Sequence, residues 1–279
     1  MGIIWNLNLA LGKVFDLALA PFASLNPIWG LAFASLITGA VMVFIFKFIS
    51  NQEGIRRAKA RVRGFFLEVW IYKHEFSSVM GSVGRILKAN VVYMRYAVAP
   101  LIVMIVPVVL IMVHLNLRYG FRPFEVGETA LLTVKWEDSS ALRDTTLKAW
   151  SGGGIEFQTG PVRALGKNEA VWRIKASKPG SHIVKVSWTG GEIEKEIVVG
   201  GGRIQKLSPK RSAVASIADA FFSPGENPLS PETGVRGVFI NYPEIKIAVF
   251  GFEIHWIIVF FVLSIAAGFA LKGVFKVEI

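Results

Sequence analysis

FIFKFISNQEGIRRAKARVRG, residues 44–64, joins the end of an apolar run to Arg56, Arg57, Lys59, Arg61 and Arg63, five cations within eight positions. A soluble nucleic-acid binder sets such a cluster against phosphate, whereas a membrane protein uses it to fix the side on which a loop stays. The whole chain favours the second use. It has 279 residues, a net charge of +11 and 53% hydrophobic residues, with a mean hydropathy of +0.50, which is too apolar for a soluble domain of ordinary composition. Runs near the roughly 20 residues that cross a bilayer fall at 28–49, 95–115 and 247–271.

Between the first two runs, residues 50–94 add Lys73, Arg85 and Lys88 to the five cations, against only Glu53, Glu68 and Glu75. Short loops rich in Lys and Arg stay in the cytoplasm. The segment between the second and third runs is domain-sized and mixes both signs, and such segments cross largely regardless of charge. The expectation is an outside N-terminus, an inside hairpin, an outside domain and an inside tail over 272–279. The first ten residues carry no cation and no cleavage site follows, so no processing is expected. Absence of cysteine excludes disulfides, thiolate nucleophiles and cysteine metal sites.

Outward from this centre, residues 1–27 read as an amphipathic interfacial helix, with Ile4, Leu7, Leu11, Phe15 and Ala18 at helical spacing, Lys13 and Asp16 interrupting, and Pro21 and Pro27 turning the chain. In 50–94 a stripe of Ile55, Val62, Phe66 and Val69 pairs with Val79, Val83, Ile86 and Val91. This predicts an antiparallel coiled-coil hairpin that turns at 74–78, its second helix capped by Ser77 or Ser78. That helix runs unbroken into the second span, where Pro100 and Pro107 predict kinks. Residues 116–200 alternate apolar and polar side chains between Gly, Pro, Asn and Ser clusters, which predicts a β-sandwich ending in a hairpin of PGSHIVKVSW with EIEKEIVVG. The pattern resembles immunoglobulin-like domains that lack the disulfide. Residues 201–246 read as a connector, with RSAVASIADAFF (211–222) as a short amphipathic helix.

Enzyme chemistry finds no foothold. His74, His114, His182 and His255 lack metal-ligand spacing, and Glu192, Glu194 and Glu196 alternate on one solvated strand face. SGGG (151–154) and GGG (200–202) lack the frame of a phosphate loop, and no GxSxG elbow occurs. The expected protein has no catalytic residues, no metal and no cofactor.

The order of these elements, together with GRILKANVVYMRYAVAPLIVMIVPVVLIM (84–112), resembles the YidC/Oxa/Alb membrane-insertase superfamily over roughly the first 115 and the last 30 residues. The resemblance implies an insertase-like or chaperone-like protein of a prokaryotic cytoplasmic membrane, acting on client membrane proteins through a wet, cationic groove. It departs from the minimal family pattern in its β-domain and in having no Arg in the first span. Lys47 and Arg95 would stand at the groove mouth, with Ser35 and Thr38 deeper, although snorkelling of end-of-span cations explains Lys47 and Arg95 equally well. Arg56, Arg57, Lys59, Arg61 and Arg63 would contact ribosomal RNA or anionic membrane lipid, with no sequence-specific nucleic-acid readout. The rival expectation is a non-enzymatic receptor or assembly subunit that binds an extracytoplasmic partner through the sandwich.

Overall fold

A computed structural model describes residues 2–201, 204–213, 222, 224–249 and 251–278. The chain divides into two compact units, residues 1–31 with 112–256, and residues 32–111 with 257–279. Helix α1 spans Gly2–Leu19, α2 Pro27–Ile49, α3 Gln52–Ile71 and α4 Phe76–Tyr119. Three helical stretches are long and apolar enough to cross a membrane: α2, residues 79–119 of α4, and a last helix, α6, at Trp256–Phe275. The break between α2 and α3 is local chemistry: the Asn51 side chain accepts from the Gly54 amide at 2.8 Å and so caps α3.

In the second unit α3 and α4 form the expected antiparallel hairpin, with a corrected seam. Ile55, Ala58, Ser82, Ile86 and Ala89 are buried, whereas Phe66, Val83 and Val91 face outward. Helix α4 starts at Phe76, so Ser77 and Ser78 fall inside its first turn instead of capping it, and the Val79 amide donates to the Glu75 carbonyl. The helix continues through Pro100 and Pro107 for 44 residues, about 66 Å at 1.5 Å per residue.

In the first unit, strands β1 (Thr129–Trp136), β2 (Lys148–Ser151), β3 (Ile155–Phe157), β4 (Val162–Ala164), β5 (Glu169–Ala176), β6 (Gly180–Trp188) and β7 (Gly191–Val199) follow a short helix-and-loop pattern that includes α5 (Ser140–Arg143). The alternation read from the sequence sends every second residue inward. Hairpin β6–β7 pairs from Gly180↔Val199 to Trp188↔Gly191. Residues 201–246 are not a connector. They supply β8 (Lys210–Ser212) and β9 (Val235–Ile240), and β9 lies beside β1 in the sheet order β3-β5-β1-β9-β8, with β4 also on β5. A second sheet is β2-β6-β7. One core joins both sheets: Leu132, Trp172, Ile174 and Val238 meet Val184, Val186, Ile193 and Ile197. Most of the helix expected over 211–222 lies outside the described residues, and its first two residues belong to β8.

The third apolar run is also shorter than its hydropathy suggests. Residues 246–255 form a hairpin of β10 (Lys246–Val249) and β11 (Phe252–His255), so the helix begins at Trp256 and not at 247. Gly251, at φ +85°, supplies the left-handed turn that lets the chain reverse there.

The same unit contains α1. Its Leu11, Gly12, Phe15, Ala18 and Leu19 form the inward side, while the side chains of Ile4 and Leu7, also expected on the stripe, lie outside the described residues. That side packs on the end of α4 through polar as well as apolar groups. His114 Nε2 is 3.1 Å from Asn8 Oδ1, and Phe15 stacks on the His114 ring. Arg118 pairs with Asp16 and donates to the Gly12 and His114 carbonyls. Residues 204–207 cross the same place: the Ile204 amide donates to the Ala23 carbonyl and the Leu207 amide to that of Leu117.

Candidate functional site

Within the second unit, α2, α4 and α6 border a cleft of about 400 Å³. Its walls follow from where small residues fall. A Cβ on Gly39 of α2 would stand 2.6 Å from the Ser264 carbonyl oxygen and 2.9 Å from Ala267 Cβ, so α2 and α6 meet at Gly39, Ala267 and Gly268. Small residues let two helix backbones approach closely without any hydrophobic drive from water. Above this contact Met42 and Phe46 of α2, Leu101, Met104 and Val108 of α4, and Phe261, Ile265 and Phe269 of α6 line the cleft. Leu101, Ile265 and Phe269 are also exposed on the outside of the bundle, so the cleft is open-sided.

The polar residues anticipated for a groove are distributed otherwise. Thr38 lines the cleft, but its hydroxyl donates to the Ala34 carbonyl at 2.7 Å, and Ser264 closes on the Phe260 carbonyl at 2.6 Å. Each hydroxyl thus bonds its own helix. Ser35 is fully buried outside the cleft lining, and Lys47 and Arg95 are exposed and also outside it. Among the described residues no charged side chain borders the cleft itself. Lys47 follows the lining residue Phe46 directly, and the Lys272 ammonium, one turn beyond Phe269, is held 5.4 Å from the centre of that ring.

On the hairpin, Arg56, Arg57, Arg61 and Arg63 are exposed and Lys59 is half-buried. Arg57 pairs with Glu53, and Lys59 lies 3.4 Å from Glu278, whose amide donates to the Gln52 side chain at 2.7 Å. A hollow of about 300 Å³ opens between α3 and α4, lined by Arg61, Arg85 and Lys88 over Phe65, Ala89 and Val92. Toward the far end of the hairpin Phe66, Leu67, Trp70, Ile71 and Phe76 are all exposed, beside the exposed Lys73, His74 and Glu75 of the turn. The signal was present in FFLEVWIY (65–72), because seven apolar or aromatic residues around the single Glu68 cannot all lie on one helix face.

Two clusters in the β-domain escaped the sequence reading. Lys195 faces inward on β7, is 1% exposed, pairs with Glu226 and donates to the Ser208 carbonyl at 2.5 Å. Burial holds its pKa below the ordinary lysine value despite the attraction of Glu226. Asp144 accepts from the Thr189 amide and hydroxyl, both at 2.6 Å, and from those of Thr146, both at 2.8 Å. These bonds, those from Thr189 foremost, hold its carboxyl far below the usual carboxylate range. Glu192, Glu194 and Glu196 are exposed, and Lys185 bridges the first two. Among the described residues no group of three His, Asp or Glu side chains is placed to hold a metal. Comparison with protein-family models, with curated proteins and with solved structures finds no match to this chain.

Proposed function

We propose that this chain is a non-enzymatic integral membrane protein of a prokaryotic cytoplasmic membrane that holds an apolar segment of a client membrane protein against α2, α4 and α6. The charge-free, open-sided cleft carries this reading. Its character favours the chaperone-like half of the expectation over a hydrated insertion groove, because Lys47, Arg95 and Ser35 stand outside the lining. Apolar segments gain no hydrophobic free energy by leaving lipid for an apolar protein face, so holding rests on van der Waals packing and stays weak and reversible. Met42 and Met104 suit varied occupants, since unbranched thioethers re-pack readily. In this reading the basic hairpin stays in the cytoplasm by its charge and presents the exposed side chains of Phe66, Leu67, Trp70, Ile71 and Phe76 to arriving chains. The immunoglobulin-like β-domain lies outside.

The test places a photo-cross-linker at Met104 or Phe261 in proteoliposomes that receive a defined single-span client. Cross-links to the client at both positions, reduced by Gly268→Trp in the cleft, are expected. Cross-links to lipid alone would overturn the reading.

A second reading, an assembly or receptor subunit, draws on a hollow of about 460 Å³ in the β-domain lined by Trp150, Phe157, Pro161 and Trp172. It predicts that Trp150→Ala removes function while cleft substitutions leave it intact.

A further inference from the structure

We infer that the hollow between α3 and α4 seats the phosphate of an anionic phospholipid headgroup, an inference that rests on α2, α4 and α6 crossing the membrane. Three cations line it, but only one is spoken for. Arg85 donates to Glu68 at 2.6 Å and to the Ser82 hydroxyl at 2.8 Å, and its guanidinium lies 5.7 Å from the Phe65 ring centre. Arg61 and Lys88 have no carboxylate partner among the described residues. Three cations against Glu68 leave two positive charges uncompensated over an apolar floor, where low polarisability strengthens their pull on an anion. Arg85 is pinned, so one donor is already oriented before a ligand arrives.

Depth selects the source of the phosphate. Lys88 and Arg85 lie seven and ten positions before Arg95, where the second apolar run begins, or about 10 and 15 Å along the helix. Headgroups occupy roughly 5–8 Å beyond each face of the hydrocarbon, and long cationic side chains close the difference by snorkelling. Shape points the same way. A nucleic-acid strand presents a phosphate at every step and calls for a continuous groove with stacking surfaces, whereas a recess of about 300 Å³ accepts a single phosphate with its glycerol.

The test titrates the full chain, purified in detergent, with dioleoyl phosphatidylglycerol and counts retained lipid by native mass spectrometry. Parallel arms use oleate, sn-glycerol 3-phosphate and a short single-stranded RNA. One retained phosphatidylglycerol is expected, weakened at least about ten-fold in Arg61→Gln/Lys88→Gln by loss of two charge-assisted bonds. Lys73→Gln/Lys276→Gln removes the same charge away from the hollow and should change retention less than about two-fold. Arg61→Lys/Lys88→Arg should restore binding, which separates charge from folding. Equal loss in both neutralised pairs, equal retention of oleate, glycerol phosphate binding as tightly as the lipid, or RNA binding at the hollow without lipid retention would each overturn the inference. Lipid retention without client cross-linking removes the client-holding reading alone; client cross-linking without lipid retention removes this inference alone.

Discussion

Replacing Glu226 with alanine should destabilise the β-domain more than replacing its partner Lys195 with methionine. Without Glu226 the Lys195 ammonium, 1% exposed, keeps only the Ser208 carbonyl at 2.5 Å. Removing one partner of a buried pair costs about 3–5 kcal/mol. A domain of this size shifts by about 3–4 °C per kcal/mol, so melting should fall by roughly 10 °C or more. Lys195→Met leaves Glu226, whose side chain is 14% exposed and can turn to water, so a cost of about 1–2 kcal/mol is expected. The double variant Lys195→Met/Glu226→Gln should return to within about 1 kcal/mol of the parent, because a buried pair gains little over apolar packing. Near-ultraviolet circular dichroism is a suitable assay, since Trp136, Trp172 and Trp188 lie in the shared core. The pair also sets a pH dependence. Burial lowers the Lys195 pKa from its ordinary 10.5, so between the folded and unfolded values the unfolded chain binds more protons. Stability should therefore rise with pH through that window and level off above 10.5, and Lys195→Met should lose this slope. Melting of Glu226→Ala within 2 °C of the parent (roughly half a kcal/mol), or a double variant worse than either single one, would refute the reasoning.

Gly39→Val should push α2 from α6, because its Cβ meets the Ser264 carbonyl at 2.6 Å. Overpacking of about 1–3 kcal/mol is expected, read as lost disulfide formation between Val43→Cys and Gly268→Cys in a chain without native cysteine. Asp144→Ala should lower the β-domain melting temperature at pH 7. The stabilisation from this carboxylate is fully present above its ordinary pKa of 3.8 and is lost as pH falls through the depressed folded value, so a parent–variant gap that closes by pH 5 would contradict it. Arg118→Ala should release α1, whose Asp16 and Gly12 carbonyl it binds; hydrogen exchange over residues 2–19 should rise, and unchanged protection would show that apolar packing alone holds the helix.

Legibility tracked how local each signal was. The apolar runs that form α2 and much of α4 announce themselves by composition, and the β6–β7 hairpin by strict alternation across a Gly-Gly turn. Two misreadings share one cause, apolar residues counted without their backbone. Residues 247–255 are hydrophobic enough to extend a span, but Gly251 and the flanking β-branched and aromatic residues fold them back as β10–β11. VRGVFI (235–240) looked like linker between Pro-rich stretches, and its pairing with the distant β1 and with β8 makes it a strand. Lys195 showed one inward position of β7 breaking the apolar set, a visible signal whose partner Glu226 lies 31 residues away. The cleft was not legible because it depends on Gly39 meeting Ala267 across two helices. Thr38 was correctly singled out by position, but its hydroxyl is spent on its own backbone.

The place of β9 in the sheet imposes a schedule on synthesis. Strand β1 keeps an open edge until β9 exists, about a hundred residues later in the chain, which at 5–20 residues per second is roughly 5–20 s of translation. During that interval a half-built sheet with a bare, apolar-flanked rim must avoid pairing with other newborn chains. Slowing elongation between residues 200 and 235 should therefore raise aggregation of the newborn chain without altering the finished molecule.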